Sequence, residues 1–246
     1  MKRASMVMTF HAERTLAQWS LFGFERMRVH SERQGISVQL VAILDSADPL
    51  TDRLVESHPV LRPSDQVLKV DCRDPGLARN AGIAAADGQY LGILDGDDYC
   101  SANWIAAALE VLDAGPERVV HPEYLVLFGA VRAWARQTDQ LAEDGCLETC
   151  FKHHLWGSTV FASRDLFLRF PYRETGMSWS GFGYEDWDWS LAVIAGGVSH
   201  TTAPNTALFY RQKSMESRQV EAVREQAVLR PGPFFAAESW TKRGSD

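Results

Sequence analysis

Tyr90-Leu91-Gly92-Ile93-Leu94-Asp95-Gly96-Asp97-Asp98 decides how this chain reads. A short apolar run of strand character ends abruptly on three carboxylates within four residues. Carboxylates that close repel one another in a folded site unless something positive compensates, and a divalent cation held by oxygen ligands is the usual compensation. Gly96 lets the backbone turn tightly or approach a ligand. A solvated acidic turn after a strand has the same spacing, so spacing alone leaves both readings open. An EF-hand loop is excluded, because no glutamate falls at the required later position.

Toward the N-terminus, strands and helices alternate. Residues 76–86 predict an alanine-rich helix closed by Asp87 and Gly88. Strands are expected at residues 5–10, 38–44 and 67–71, and a helix at 13–30, with Leu16, Trp19, Phe22 and Met27 among its apolar positions and Gly23 weakening it. The strand at 38–44 runs into Asp45, Ser46, Ala47 and Asp48, a second acidic strand end. This alternation predicts an α/β fold with a mostly parallel sheet and helices on both faces. Such sheets bind ligands at the carboxyl ends of their strands, where both acidic clusters fall.

Toward the C-terminus, Ser101 is the expected N-cap of a helix over 102–112, ended by Gly115-Pro116. One or two strands follow in 119–131, another at 156–161, a helical turn at 164–167 and a loop at 175–184. Residues 185–195 predict a helix carrying Trp187, Trp189, Leu191, Val193 and Ile194, stopped by Gly196-Gly197. A short strand at 207–210 and a last helix at 216–229 complete the pattern. There is no internal repeat, coiled coil or low-complexity block.

The 246 residues allow one large domain or two small ones, and a 46% hydrophobic content suits a globular core. A net charge of -7 offers no bulk attraction to nucleic acid or anionic lipid. Cys146 and Cys150 have no matching pair downstream, so the four cysteines read as thiols in a reducing compartment rather than as a zinc site. The N-terminus lacks a signal-peptide pattern, and no apolar run approaches the 18 residues of a membrane span.

Three further clusters carry chemistry. In Gly183-Tyr184-Glu185-Asp186-Trp187-Asp188-Trp189, carboxylates beside tryptophans suit a sugar subsite, while the acids equally suit a helix N-terminus and the tryptophans a core. Gly76-Leu77-Ala78-Arg79-Asn80-Ala81-Gly82 fits neither a phosphate loop nor a dinucleotide fingerprint. Its Arg79 and Asn80 are candidates for holding a nucleotide or for buttressing the acidic loops. Arg211 and Lys213 stand near a strand end, where they could meet a diphosphate. No serine or cysteine nucleophile constellation stands out, and His153, His154 and His200 are possible ligands, though lone histidines are more often structural or exposed.

In order, these segments resemble the inverting family 2 glycosyltransferases of the GT-A fold, over roughly residues 5–215. Residues 44–48 resemble the family's second-strand end, 76–82 its Gly-x-x-x-Asn-x-Gly stretch, 94–98 its extended Asp-x-Asp motif, and Glu185-Asp186 its Glu-Asp motif. Thr9-Phe10-His11 departs from the family's Pro-x-Tyr-Asn segment, and Gln212 and Lys213 stand where many relatives have a histidine.

The resemblance implies a three-layer α/β/α sandwich in one domain over residues 1–235: a nucleotide-binding part to about 115, an acceptor part to about 215, a helix over 216–229, then a polar tail over 236–246. It implies Mn2+ or Mg2+ on Asp97, Asp95 and Asp98. Thr9, Asp45, Arg79, Asn80, Asp95, Gly96, Arg211 and Lys213 would bind the nucleotide-sugar, a UDP-sugar by default. Asp186 would be the base with Glu185 beside it, and Trp156, Trp179 and Trp187 would stack on acceptor sugars. His200 is an alternative cation ligand. The acceptor would be a saccharide or a lipid- or protein-linked glycan, such as bacterial surface polysaccharide, met in the cytoplasm or at the inner face of the membrane. A catalytically degenerate binding or scaffolding domain of the same fold is the alternative, against which the intact acidic motifs argue. A nucleotide-sugar pyrophosphorylase would need a glycine-rich N-terminal loop that is missing here.

Overall fold

A computed structural model describes residues 3–142, 149–150, 152–213 and 218–236. Its first half runs β1 (Arg3–Phe10), α1 (Leu16–Glu32), β2 (Ser37–Asp45), α2 (Pro49–Glu56), β3 (Gln66–Val70), α3 (Pro75–Ala85), β4 (Tyr90–Asp95), β5 (Tyr99–Cys100) and α4 (Trp104–Asp113). The second runs β6 (Arg118–Gly129), β7 (Ala133–Arg136), β8 (Val160–Ser163), α5 (Arg164–Arg169), α6 (Met177–Ser180), α7 (Glu185–Ala195), β9 (Ser199–Gln212) and α8 (Arg218–Arg224).

Period-two alternation sets the layers. Met6, Met8 and Phe10 of β1 and Leu40, Ala42 and Leu44 of β2 face Leu21, Phe24 and Met27 of α1 and Trp104 and Ile105 of α4. Val7, Val41 and Ile43 point the other way, onto Ala78 and Ile83 of α3 and toward Trp189 and Val193 of α7. Each such large side chain removed from water stabilises the fold by ~1.5–3 kcal/mol. Gly82 lets α3 settle on the sheet, because a Cβ there would overlap the Val7 side chain.

The sheet order is β3-β2-β1-β4-β8-β6-β9-β5, with β7 paired to β6. Strands β3, β2, β1 and β4 are mutually parallel. Strand β8 runs antiparallel to β4, and the half beyond it is mixed. The expected three-layer α/β sandwich is present, with its parallel part confined to the N-terminal four strands.

Several boundaries differ from expectation. Helix α1 starts at Leu16 because Arg14 sits at φ 52, outside the helical region. Gly23 is accommodated inside α1 because Tyr99 packs where its Cβ would be. Helix α2 was not expected; Asp48 caps it through the Leu50 and Thr51 amides, and Pro49 opens it. Ser101 is not a cap: α4 begins after Asn103, and the Ser101 hydroxyl accepts from the Ala207 amide at 3.1 Å. The strand expected at 156–161 is β8, shifted to Val160–Ser163. Strand β9 extends far beyond the expected 207–210, through the polar run Thr201-Thr202. Residues 216–217 of the last expected helix, Cys146 and the polar tail beyond residue 236 lie outside the described residues.

Candidate active site

Strand parity aims the first carboxylate. Leu91 and Ile93 face α3, so Asp95, two residues on, faces it too. There Arg79 of α3 donates to Asp95 Oδ1 at 2.9 Å, and Ser158 donates to Oδ2 at 2.8 Å. The other Arg79 terminal nitrogen donates to Glu185 Oε1 at 2.7 Å. Arg79 is only 3% exposed, so one buried guanidinium ties the Asp-x-Asp turn to the Glu-Asp helix α7. Burial pushes the Asp95 carboxyl up, but the Arg79 charge and the Arg79 and Ser158 hydrogen bonds outweigh it and hold it below the usual carboxylate range.

The remaining two carboxylates face β9 and its end. Lys213 Nζ lies 2.8 Å from Asp97 Oδ2, and Arg211 Nη1 lies 3.7 Å from the same oxygen. The Arg211 amide donates to Asp98 Oδ1 at 2.7 Å. Asp98 Oδ2 is buried with no hydrogen-bond partner among the described residues. Burial, then the charges of Asp97 and Asp95, push the Asp98 carboxyl well above the usual range. An orphaned carboxyl oxygen whose charge these neighbours disfavour fits a cation, with Asp97 as the adjoining donor. Among the described residues no group of three or more acidic, histidine or cysteine side chains is assembled as a complete metal cage. Gly96 donates to the Thr9 carbonyl at 2.9 Å, and a Cβ on it would meet that oxygen at 2.6 Å, so the turn requires glycine. Thr9 thereby lies beside Asp95 at the strand ends.

On the acceptor side, Tyr184 enters α7 in the left-handed region at φ 61, which turns Glu185 and Asp186 inward. Asp186 Oδ1 accepts from the Trp187 amide at 2.8 Å, and its side chain is 28% exposed. Burial raises both Glu185 and Asp186, Arg79 opposing it in each case. Trp179 stands 71% exposed on α6, and Trp187 is half-buried, its indole donating to the Cys150 carbonyl at 3.0 Å.

Three expectations are corrected, and for Arg79 one of its two alternatives is favoured. Asn80 spends its amide on the backbone of Tyr172, donating at 2.8 Å and accepting at 3.0 Å, so it clamps a loop instead of facing a nucleotide. Arg79 buttresses, for the reason just given. Trp156 is 5% exposed, with its ring against His200 at 4.4 Å and His121 at 5.2 Å, which leaves no face for a sugar. His200 is fully buried in that stack, bonded to His121 at 2.8 Å, with its ring contacts on His121, Trp156 and Trp189. Trp189 is core, between Phe167 and Tyr172.

Asp74 was missed. Its Oδ1 caps α3 through Leu77, while Oδ2 accepts from Thr175 N and Oγ1, so it fixes the loop leading to α6. Asp74-Pro75 was the available signal, an N-cap before a first-turn proline. Glu13, read as helical, precedes α1 and approaches the Asp97–Lys213 pair closely enough to feel both charges. Asp45, expected to bind the nucleotide-sugar, uses Oδ1 to hold the Cys72 and Arg73 amides at 2.7 and 3.0 Å.

Residues 37–175 match the family model described as glycosyl transferase family 2. That span exceeds half of the chain, and the chain belongs to this family; its fold is GT-A. The succinoglycan biosynthesis protein ExoO of Rhizobium meliloti (strain 1021) is 33% identical over 88 residues, 35% of this chain and 25% of that protein. Among solved structures, S. aureus TarS 1-349 in complex with UDP-GlcNAc is similar with a TM-score of 0.63 at 14% identity, over 89% of this chain and 61% of that one. The mannosyltransferase PcManGT from Pyrobaculum calidifontis, in complex with GDP-Man and Mn2+, gives 0.61 at 14%, over 98% and 68%. The chain therefore spans a quarter of the curated relative and under two thirds of the TarS chain. No helix among the described residues is long and apolar enough to cross a membrane.

Proposed function

We propose that this chain transfers a sugar, with inversion, from a nucleotide-diphosphate donor to a hydroxyl of a saccharide or glycoconjugate. The observation that carries the reading is the Asp95–Arg79–Glu185 bridge, which sets a donor-type acidic turn against an acceptor-type acidic helix. The donor, a UDP-sugar by default, would lie over the carboxyl ends of β1, β2 and β4, along Thr9, Asp45 and Asp95. Arg211 and Lys213 would meet its diphosphate. Asp97 and Asp98 would hold Mn2+ or Mg2+, for which one or two carboxylates plus phosphate oxygens are a usual complement. Bound there, the cation would offset charge on the departing diphosphate.

Asp186 would take the proton of the acceptor hydroxyl. As that O–H bond breaks, the oxygen bonds the anomeric carbon from the far side, and the electron pair of the breaking glycosyl–phosphate bond leaves with the diphosphate. A base whose carboxyl is raised by burial is better suited to this task than an exposed one. Trp179 and Trp187 would offer the acceptor aromatic faces. Incubating the chain with UDP-, GDP-, CDP- and dTDP-sugars and a panel of glycan acceptors tests the proposal. Transfer that Asp186→Asn lowers at least ~100-fold, with donor affinity retained, supports it; full transfer by Asp186→Asn removes the base.

A further inference from the structure

Behind Asp186 lie partly buried groups that the proposed reaction leaves unused. His154 Nδ1 sits 3.6 Å from Asp186 Oδ2, and its Nε2 sits 3.2 Å from Ser190 Oγ. We propose that His154 is a positioning residue that accepts a hydrogen bond from Asp186 once the base has taken the acceptor's proton. The inference rests on the assignment of Asp186 as base.

The hydrogen count carries the argument. The Ser190 hydroxyl donates to the Asp186 carbonyl one turn back, at 2.9 Å. A hydroxyl has a single hydrogen, so toward His154 the Ser190 oxygen is an acceptor, and Nε2 carries the imidazole proton. Nδ1 is then a bare lone pair aimed at Asp186 Oδ2. Oδ1 is occupied by the Trp187 amide, which leaves Oδ2 to receive the proton. While Asp186 is ionised, two acceptors face each other and repel. After proton transfer the pair becomes O–H···N, and closing by roughly 0.6 Å or more brings it into hydrogen-bond range. The acceptor's proton stays on Asp186 Oδ2 and leaves to water with the product.

The surroundings fit that role. The His154 ring lies parallel to Trp187, 8° between planes, and edge-on to Trp156 at 82°. Its side chain is 15% exposed. Of the charged groups, Asp186 and Glu185 face it from α7, and the neutral pair His121 and His200 lies behind Trp156. Around Asp186 stand Arg79, Glu185 and Asp95. Burial pushes His154 down to about 3, Glu185 opposing, so the imidazole stays neutral and does not itself take the proton.

Long-range proton–nitrogen spectra of the full chain read the tautomer directly. The expected pattern for His154 is a protonated Nε2 and a bare Nδ1; a protonated Nδ1 overturns the inference. Kinetics supply the second arm, with UDP-glucose, UDP-N-acetylglucosamine and GDP-mannose as donors and water as acceptor. His154→Leu is expected to lower kcat ~10–100-fold, leave donor KM unchanged and move the acid limb of kcat to lower pH. His154→Asn, whose amide oxygen reproduces the Nδ1 acceptor, is expected to recover much of the loss and restore the limb. Equal rates and an unshifted limb in both variants, each matched to the unmodified chain in thermal melt and nucleotide binding, overturn the inference. Asp186→Asn run alongside separates the failures: if it stays active, the base assignment falls; if it is inactive while His154→Leu is unimpaired, only the His154 role falls.

Discussion

Replacing Lys213 with alanine should make the donor-free chain bind Mn2+ more tightly. Lys213 Nζ sits 2.8 Å from Asp97 Oδ2, where a cation would approach, and the two side chains are 27% and 10% exposed. A divalent ion must displace that ammonium before it can use Asp97. A hydrogen bond to a charged group at a partly buried site is worth ~1.5–3 kcal/mol, which converts to ~10–150-fold in affinity. Arg211, 3.7 Å from the same oxygen, remains and keeps the gain toward the lower end. The same substitution should weaken metal-free binding of UDP, because the diphosphate loses a cation. Calorimetric titration of Mn2+ into both chains at 0.15 M salt, then of UDP without metal, measures both effects. Mn2+ affinity that is unchanged or weaker in Lys213→Ala, with the fold intact, refutes the reasoning. His200→Ala is the control, expected to leave Mn2+ affinity unchanged because His200 faces its own stack.

Two further outcomes follow from buried groups. Asp98→Asn removes a carboxylate whose Oδ2 has no partner among the described residues, so at neutral pH without divalent cations it should raise the melting temperature by several degrees while weakening Mn2+-dependent nucleotide binding; a lower melting temperature contradicts this. His154 and His200 are both depressed to about 3 by burial, so the unfolded chain binds more protons below its own histidine range near ~6.5, and stability should fall as pH drops from there toward 3. At pH 5 each group should cost ~2 kcal/mol relative to pH 7, and a chemical denaturation series that stays flat between pH 7 and 5 contradicts the assignment.

The acidic strand ends were legible because they are local: an apolar run that stops on carboxylates reads the same in one dimension as in three. Helix α7 was legible for a similar reason, with acids at its start and Gly196-Gly197 at its end. Arg79 was legible as a candidate buttress of the acidic loops, but the particular pairings were not. Arg79 and Glu185 are 106 residues apart, and Asp98 and Arg211 are 113 apart, so nothing local announces either pair. Trp156 and Trp179 look alike in sequence, yet one is packed against two histidines and the other stands exposed, because the strand and loop context decides which face remains free. The short α2 and Asp74 were missed although Asp48-Pro49 and Asp74-Pro75 carry the same cap-then-proline signal.

A nucleotide panel addresses the central claim, that the carboxyl ends of β1, β2 and β4 form a donor site completed by Asp97. UDP, GDP, CDP and dTDP would be titrated into the chain and into Asp97→Asn by calorimetry, each with and without Mn2+. The account predicts that one nucleotide binds clearly more tightly than the rest, that Mn2+ strengthens its binding, and that Asp97→Asn removes the Mn2+ increment. Absence of binding by every nucleotide to the folded chain, with or without Mn2+, would contradict it.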